Sequence, residues 1–239
     1  MNYNWNWGIL FQEPYFGWIL SGLGWTVAVA LCAWAIALTL GSVIGVMRTV
    51  PSKPLRLFAT VYVELFRNVP LLVQMFLWYF ALPEALPEDA GRFLKRDLQQ
   101  PEFVTAFVAL GFYTASRVAE QVRAGIESIP SGFSDAAKST GMTTFQIYRQ
   151  VLLPISFRII IPPMTSEFLT IFKNSSLALT IGLLELTAQA RQITEYTFQG
   201  FEAFAAATVI YVMIALIVTV LMSVVESRSR IPGYIGTGK

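Results

Sequence analysis

Ionisable side chains are scarce in this chain, and the few that interrupt apolar runs are the ones with chemistry to perform. Arg117 lies in YTASRVAE, Tyr113 to Glu120, inside an otherwise apolar segment. A guanidinium stays charged at any physiological pH, so in a low-dielectric setting it needs a carboxylate, water or a passing anion. Glu120 stands three residues on, a spacing that brings two side chains together on one helix face. An Arg117–Glu120 pair and an Arg117 that screens an acidic solute are both open on this pattern. A second polar cluster, Lys173, Asn174, Ser175 and Ser176, closes another apolar segment, and Glu185 follows it. It suits an outer gate or a receiving surface, though the favoured expectation is that Lys173 anchors its helix at the interface. Glu64 and Arg67 repeat the three-residue spacing and are expected to form a structural pair.

Other chemistries lack material. The chain has no histidine and one cysteine, Cys32. A metal site, a Ser/His or Cys/His nucleophile and an intrachain disulfide are therefore not expected. The C-terminal GYIGTGK, Gly233 to Lys239, fits the outline of a phosphate-binding loop but lacks the Ser/Thr and the helix that such a loop requires. Asn174-Ser-Ser abuts an apolar run and is given no weight as a glycosylation acceptor. No cofactor, no nucleic acid and no enzymatic role are expected of this chain itself.

The elements that position these charges belong to a membrane. Apolar residues make up 55% and charged residues 13%, against about 45–50% and about 25% in soluble domains, and mean hydropathy is +0.57. An all-α integral membrane protein with five transmembrane helices is expected, its spans near residues 22–47, 57–82, 103–122, 155–173 and 203–225. The first and last are free of charge and suit lipid, whereas the middle three carry charges and suit an internal pathway. Pro70, Pro162 and Pro163 fall in those middle spans, as kinks or segment ends. Gly41 and Gly45 form a small-residue pattern expected to pack helices within the chain. Residues 1–21, with Tyr3, Trp5 and Trp7, suit an interfacial anchor outside the cell membrane. No basic stretch or small-residue cleavage pattern there indicates a removed signal peptide.

Five spans put the termini on opposite sides. With the N-terminus outside, ten Lys/Arg fall on inner segments (Arg48, Lys53, Arg56, Arg123, Lys138, Arg149, Arg158, Arg228, Arg230 and Lys239) and four on outer ones (Arg92, Lys95, Arg96 and Arg191). The bias predicts a cytoplasmic C-terminal tail, residues 227–239, and a cytoplasmic loop at residues 130–154. Within that loop, SDAAKSTGMTTFQIYRQVLLP is a polar island between apolar spans. Ser134 is the expected cap of a short helix with Asp135 in its first turn. Gly141 permits a change of direction, and a second piece over residues 143–151 runs to a stop at Pro154.

At these residues the chain resembles the membrane subunits of type I ATP-binding cassette importers, whose cytoplasmic loop reads E-A-A, three residues, G, nine residues, I-x-L-P. Asp135, Ala136, Ala137, Gly141, Val151, Leu153 and Pro154 occupy those places at the same spacing, with Asp for Glu and Val for Ile. YVELFRNVPLLVQ, VAEQVRAGIESIP, PPMTSEFLTIFKNSS and IGLLEL resemble the polar amino acid branch, and the permeases of glutamate/aspartate importers above all. The likeness covers residues 22–226. It implies an ATP-driven importer permease of the cytoplasmic membrane whose loop forms a coupling helix seated in an ATPase. It further implies a homologous permease partner, two ATPase subunits that bind ATP and Mg, and an extracytoplasmic solute-binding protein. That branch commonly has Asn where Tyr113 stands and Tyr where Arg117 stands, so Arg117 and Glu120, with Lys173 and Asn174, are the expected substrate pathway. A secondary transporter or channel that needs no ATPase, and a membrane scaffold that moves nothing, are the rival readings.

Overall fold

The computed structural model describes residues 3–229, and over these the chain is helical without a strand. A 3-10 turn, Trp7–Phe11, precedes α1, Tyr15–Met47. Helix α2 is Lys53–Asn68 and α3 is Leu71–Ala85. A short α4, Glu88–Arg92, opens into the π turn Phe93–Asp97. Then come α5, Pro101–Glu127, and α6, Ser131–Ser139. Helix α7, Thr144–Ile181, ends in the 3-10 segment Ser175–Ile181, and α8, Leu186–Thr197, and α9, Gly200–Ser229, complete the order.

Among the described residues, three helices are long and apolar enough to cross a membrane: α1, α7 and α9. A fourth crossing arises if α2 and α3 count as one broken span. The 27 residues of α5 extend about 40 Å at 1.5 Å per residue, but Arg117, Glu120, Arg123 and Glu127 lower its apolar character. On α9, Val209, Val212, Leu216, Ile217, Val220 and Leu221 are each more than half exposed. Such a surface is costly in water and natural against lipid. The chain is an all-α, multi-pass membrane protein.

Proline chemistry explains where the helices depart from the expected boundaries. Residues 57–82 are not one helix, because Pro70 biases Val69 away from helical backbone and itself adopts φ −56°, ψ 136°. The buried Gln74 donates its side-chain N–H to the Val69 carbonyl at 2.8 Å, satisfying a group that the break leaves open. Pro83 and Pro154 each follow a π turn, Leu77–Ala81 and Tyr148–Leu152. A proline ring collides with the carbonyl four residues back and offers no N–H, and the wider i→i+5 turn relieves both problems. Pro162 and Pro163 lie inside continuous helix and are not segment ends.

The chain divides into two compact units. One holds the chain up to Ala35, Val69–Gly111 and Leu169–Val218. Its core is Ile19, Leu186, Ala190, Ile193, Ala203 and Ala207. The buried Glu185 caps α8 there by accepting from the backbone N–H groups of Thr187 and Ala188 and from the Tyr211 hydroxyl, at 3.0, 2.8 and 2.8 Å. Its carboxylate is thus enclosed and is not a surface group that could receive a binding protein. The second unit holds Ile36–Asn68, Phe112–Phe168 and the chain from Thr219. It centres on Ile44, Ala59, Val63 and Ala119. Gly41 and Gly45 let α1 close on α5: a Cβ on Gly41 would lie 2.7 Å from the Val118 side chain, and one on Gly45 would lie 2.7 Å from the Ala119 carbonyl oxygen. The small-residue pattern therefore packs helices within the chain, as expected.

Candidate functional site

The loop between α5 and α7 is built from short-range bonds. Helix α6 starts at Ser131 after Pro130, not at Asp135, because Pro130 fixes an extended backbone at the cap position. Ser134 is consequently interior and donates its hydroxyl to the Ser131 carbonyl instead of capping. At the other end, the Gly141 N–H donates to the Lys138 carbonyl and the Met142 N–H to the Ala137 carbonyl, at 2.9 and 3.2 Å. These two bonds close the helix only if Gly141 adopts a left-handed backbone, and its φ is +82°. Thr143 then restarts the chain. Its backbone N–H donates to the Gln146 side chain at 2.8 Å, while its hydroxyl accepts from the Gln146 N–H at 3.3 Å, a reciprocal capping box.

Pro154 does not end the second piece. The helix runs through the π turn and on to Asn174, so the loop's second half is the base of a long helix. Tyr148 donates its hydroxyl to Thr49, at 3.2 Å, which ties that base to the connection after α1. Asp135, Ala136, Gly141 and Pro154 are exposed, Val151 and Leu153 are half-buried, and Ala137 faces inward. Phe145, not singled out from the sequence, is 71% exposed on the first turn of α7. The signal for it is an apolar residue two positions after the capping Thr143.

The charged residues within the apolar segments form pairs other than those the spacing suggests. Arg117 on α5 donates Nε–H and Nη2–H to the two carboxylate oxygens of Glu167 on α7, at 2.6 and 2.9 Å. The Arg117–Glu120 pair is therefore not the one that forms. Both oxygens of Glu120 are taken by other guanidiniums, Arg48 at the end of α1 and Arg123 one turn further along α5. Arg123 also reaches Glu127. Glu64 accepts from Asn68 at 2.9 Å, not from Arg67. Lys173 is exposed and Asn174 half-buried where α-helix gives way to the 3-10 segment, and neither joins the Arg117–Glu167 pair. Near the end of α3, Lys95 donates to the Glu84 carboxylate. The GYIGTGK stretch and the tail at residues 230–239 lie outside the described residues.

A loop capped at both of its helical pieces thus joins two helices that share an internal ion pair. The model of the family described as "Binding-protein-dependent transport system inner membrane component" matches residues 37–231. The chain belongs to that family. This inner membrane component is 46% identical to the glutamate/aspartate import permease protein GltJ of Escherichia coli strain K12, over 99% of each chain. It is 33% identical to the probable glutamine ABC transporter permease protein GlnM of Bacillus subtilis, over 93% of this chain and 97% of the relative. Among solved structures it superposes on an amino acid ABC transporter with histidines at a TM-score of 0.80, with 30% identity over 95% of this chain and 100% of the other. The MetNI methionine ABC transporter, at 19% identity and a TM-score of 0.76, shares the fold.

Proposed function

We propose that this inner membrane component is the permease subunit of an ATP-driven importer that carries acidic amino acids, glutamate or aspartate, across the cytoplasmic membrane. The reading is carried by its full-length likeness to a glutamate/aspartate import permease. Arg117, a permanent cation with 40% of its side chain exposed in the middle of α5, supports it. A carboxylate-bearing solute is the natural counter-ion for such a group. The chain crosses five times, with α2 and α3 as one broken crossing and α5 as the polar one. The N-terminus lies outside and residues 130–154 inside, following the Lys/Arg bias.

In this reading the exposed Asp135, Ala136, Gly141 and Pro154, with Val151 and Leu153 beside them, seat the loop in an ATPase subunit, while Ala137 holds α6 to its own chain. ATP and Mg bind to two such ATPase subunits. A homologous permease completes the membrane pair, and an extracytoplasmic binding protein delivers the solute. Because α7 continues from the loop without interruption, a push on Thr143 to Pro154 is transmitted along the same helix that holds Glu167. The complex reconstituted in vesicles should accumulate glutamate only with ATP inside and the binding protein outside. Uptake driven by an ion gradient in the absence of the ATPase would overturn the proposal.

A further inference from the structure

The Arg117–Glu167 pair is lopsided. The guanidinium side is 40% exposed and the carboxylate side 6%. Glu167 grips the Nε/Nη2 edge with both oxygens, at 2.6 and 2.9 Å, which commits two of the five N–H donors of the fork. Three donors remain, two on Nη1 and one on Nη2, and on a side chain 40% exposed they are the ones that an incoming carboxylate can use.

We infer that Glu167 is a positioning residue, which holds Arg117 by two donors so that the others meet the solute, and which cancels its standing charge so that an acidic amino acid is held loosely enough to leave. This rests on the acidic-substrate reading above. A lone guanidinium in a low-dielectric path would bind a carboxylate tightly, and a translocation site must release what it binds. With Glu167 present the empty site is neutral and oriented. Without it the site carries a full positive charge on a side chain free to swing.

The test uses the whole complex in vesicles, with glutamate uptake and glutamate-stimulated ATPase measured per assembled complex. Glu167→Gln should lower the maximal uptake rate about tenfold, the equivalent of one charge-assisted hydrogen bond, while the half-saturating concentration stays the same or falls. In an Arg117→Gln background the same change should have no further effect, because Glu167 acts through Arg117. A Glu167 that only holds helices together would reduce the yield of assembled complex and leave the rate per complex unchanged, and that result overturns the inference. Should Glu167→Gln fail to assemble, Glu167→Asp keeps the charge but draws it back by one methylene. A rate equal to wild type in that variant would likewise overturn it. If the unmodified complex imports no acidic amino acid, or Arg117→Gln leaves uptake intact, it is the substrate reading that fails. If Arg117→Gln cripples uptake and Glu167→Gln does not, only the role given to Glu167 falls.

Discussion

The loop between α5 and α7 and the Arg117–Glu167 pair sit in one compact unit, yet they are assembled in opposite ways. In the loop, the bonds that define shape span three to five residues: Gly141 to Lys138, Met142 to Ala137, and Thr143 with Gln146. The pair joins residues 50 positions apart on two helices. Local bonds are specified by residue type at fixed offsets, whereas a long-range pair depends on which helices meet and in what register. The loop should therefore respond to substitution in graded steps that equivalent chemistry can reverse. The pair should respond as a unit.

The largest effect follows from breaking the pair on one side. Arg117→Ala leaves the Glu167 carboxylate buried without its cation, which should cost about 3 kcal/mol in the detergent-solubilised protein. Replacing both, as in Arg117→Met with Glu167→Leu, removes the orphaned charge and should recover most of that loss. Thermal unfolding of the two variants gives the comparison. Equal destabilisation would mean that the two side chains are not coupled.

Gly141 probes the loop, and the expected effect is smaller. Gly141→Ala puts a Cβ on a residue at φ +82° and should cost about 1 kcal/mol, while Gly141→Asn should cost less than half of that, since Asn tolerates the left-handed region. No heavy atom lies within 4 Å of the position a Cβ would take. Among the described residues conformation is thus the penalty, and circular dichroism melts of the two variants should differ. Indistinguishable melts would show that the turn is held by something other than its backbone bonds.

The same contrast explains what could be read from residue order. Gly141 as a turn, a helix over residues 143–151 and the Gly41/Gly45 contact were all legible, because each depends on a property the residue carries with it. The start of α6 was misplaced by several residues because Pro130 imposes the boundary and leaves Ser134 nothing to cap. Pro154 reads as a stop because its clash is evident in sequence, whereas the π turn that absorbs it is not. For Arg117, proximity in sequence offers Glu120 as one of two open readings, and the fold chooses neither of them as its ion-pair partner. Arg48, 72 residues away, competes for that carboxylate and only the fold brings it there. Glu167 was visible as a charge within an apolar span, but nothing in its neighbours named α5 as its destination.

Asp135 gives the smallest structural effect and the sharpest separation of folding from coupling. Its carboxylate is 64% exposed and its ion pair is with Lys138, 3.2 Å away and 65% exposed, one turn along α6. An exposed pair of this kind is worth about 0.3 kcal/mol, so Asp135→Asn should leave the melting behaviour of the isolated subunit nearly unchanged. Nothing else in the described residues depends on this carboxylate, since the Ser139 hydroxyl bonds to the Asp135 backbone carbonyl and the cap position belongs to Pro130. If the loop serves only to join α5 to α7, ATP-driven uptake should also stay the same. If the loop seats in an ATPase, uptake and solute-stimulated ATP hydrolysis should both fall several-fold while the subunit remains equally stable, because a charge facing the partner is lost at an interface the monomer does not contain.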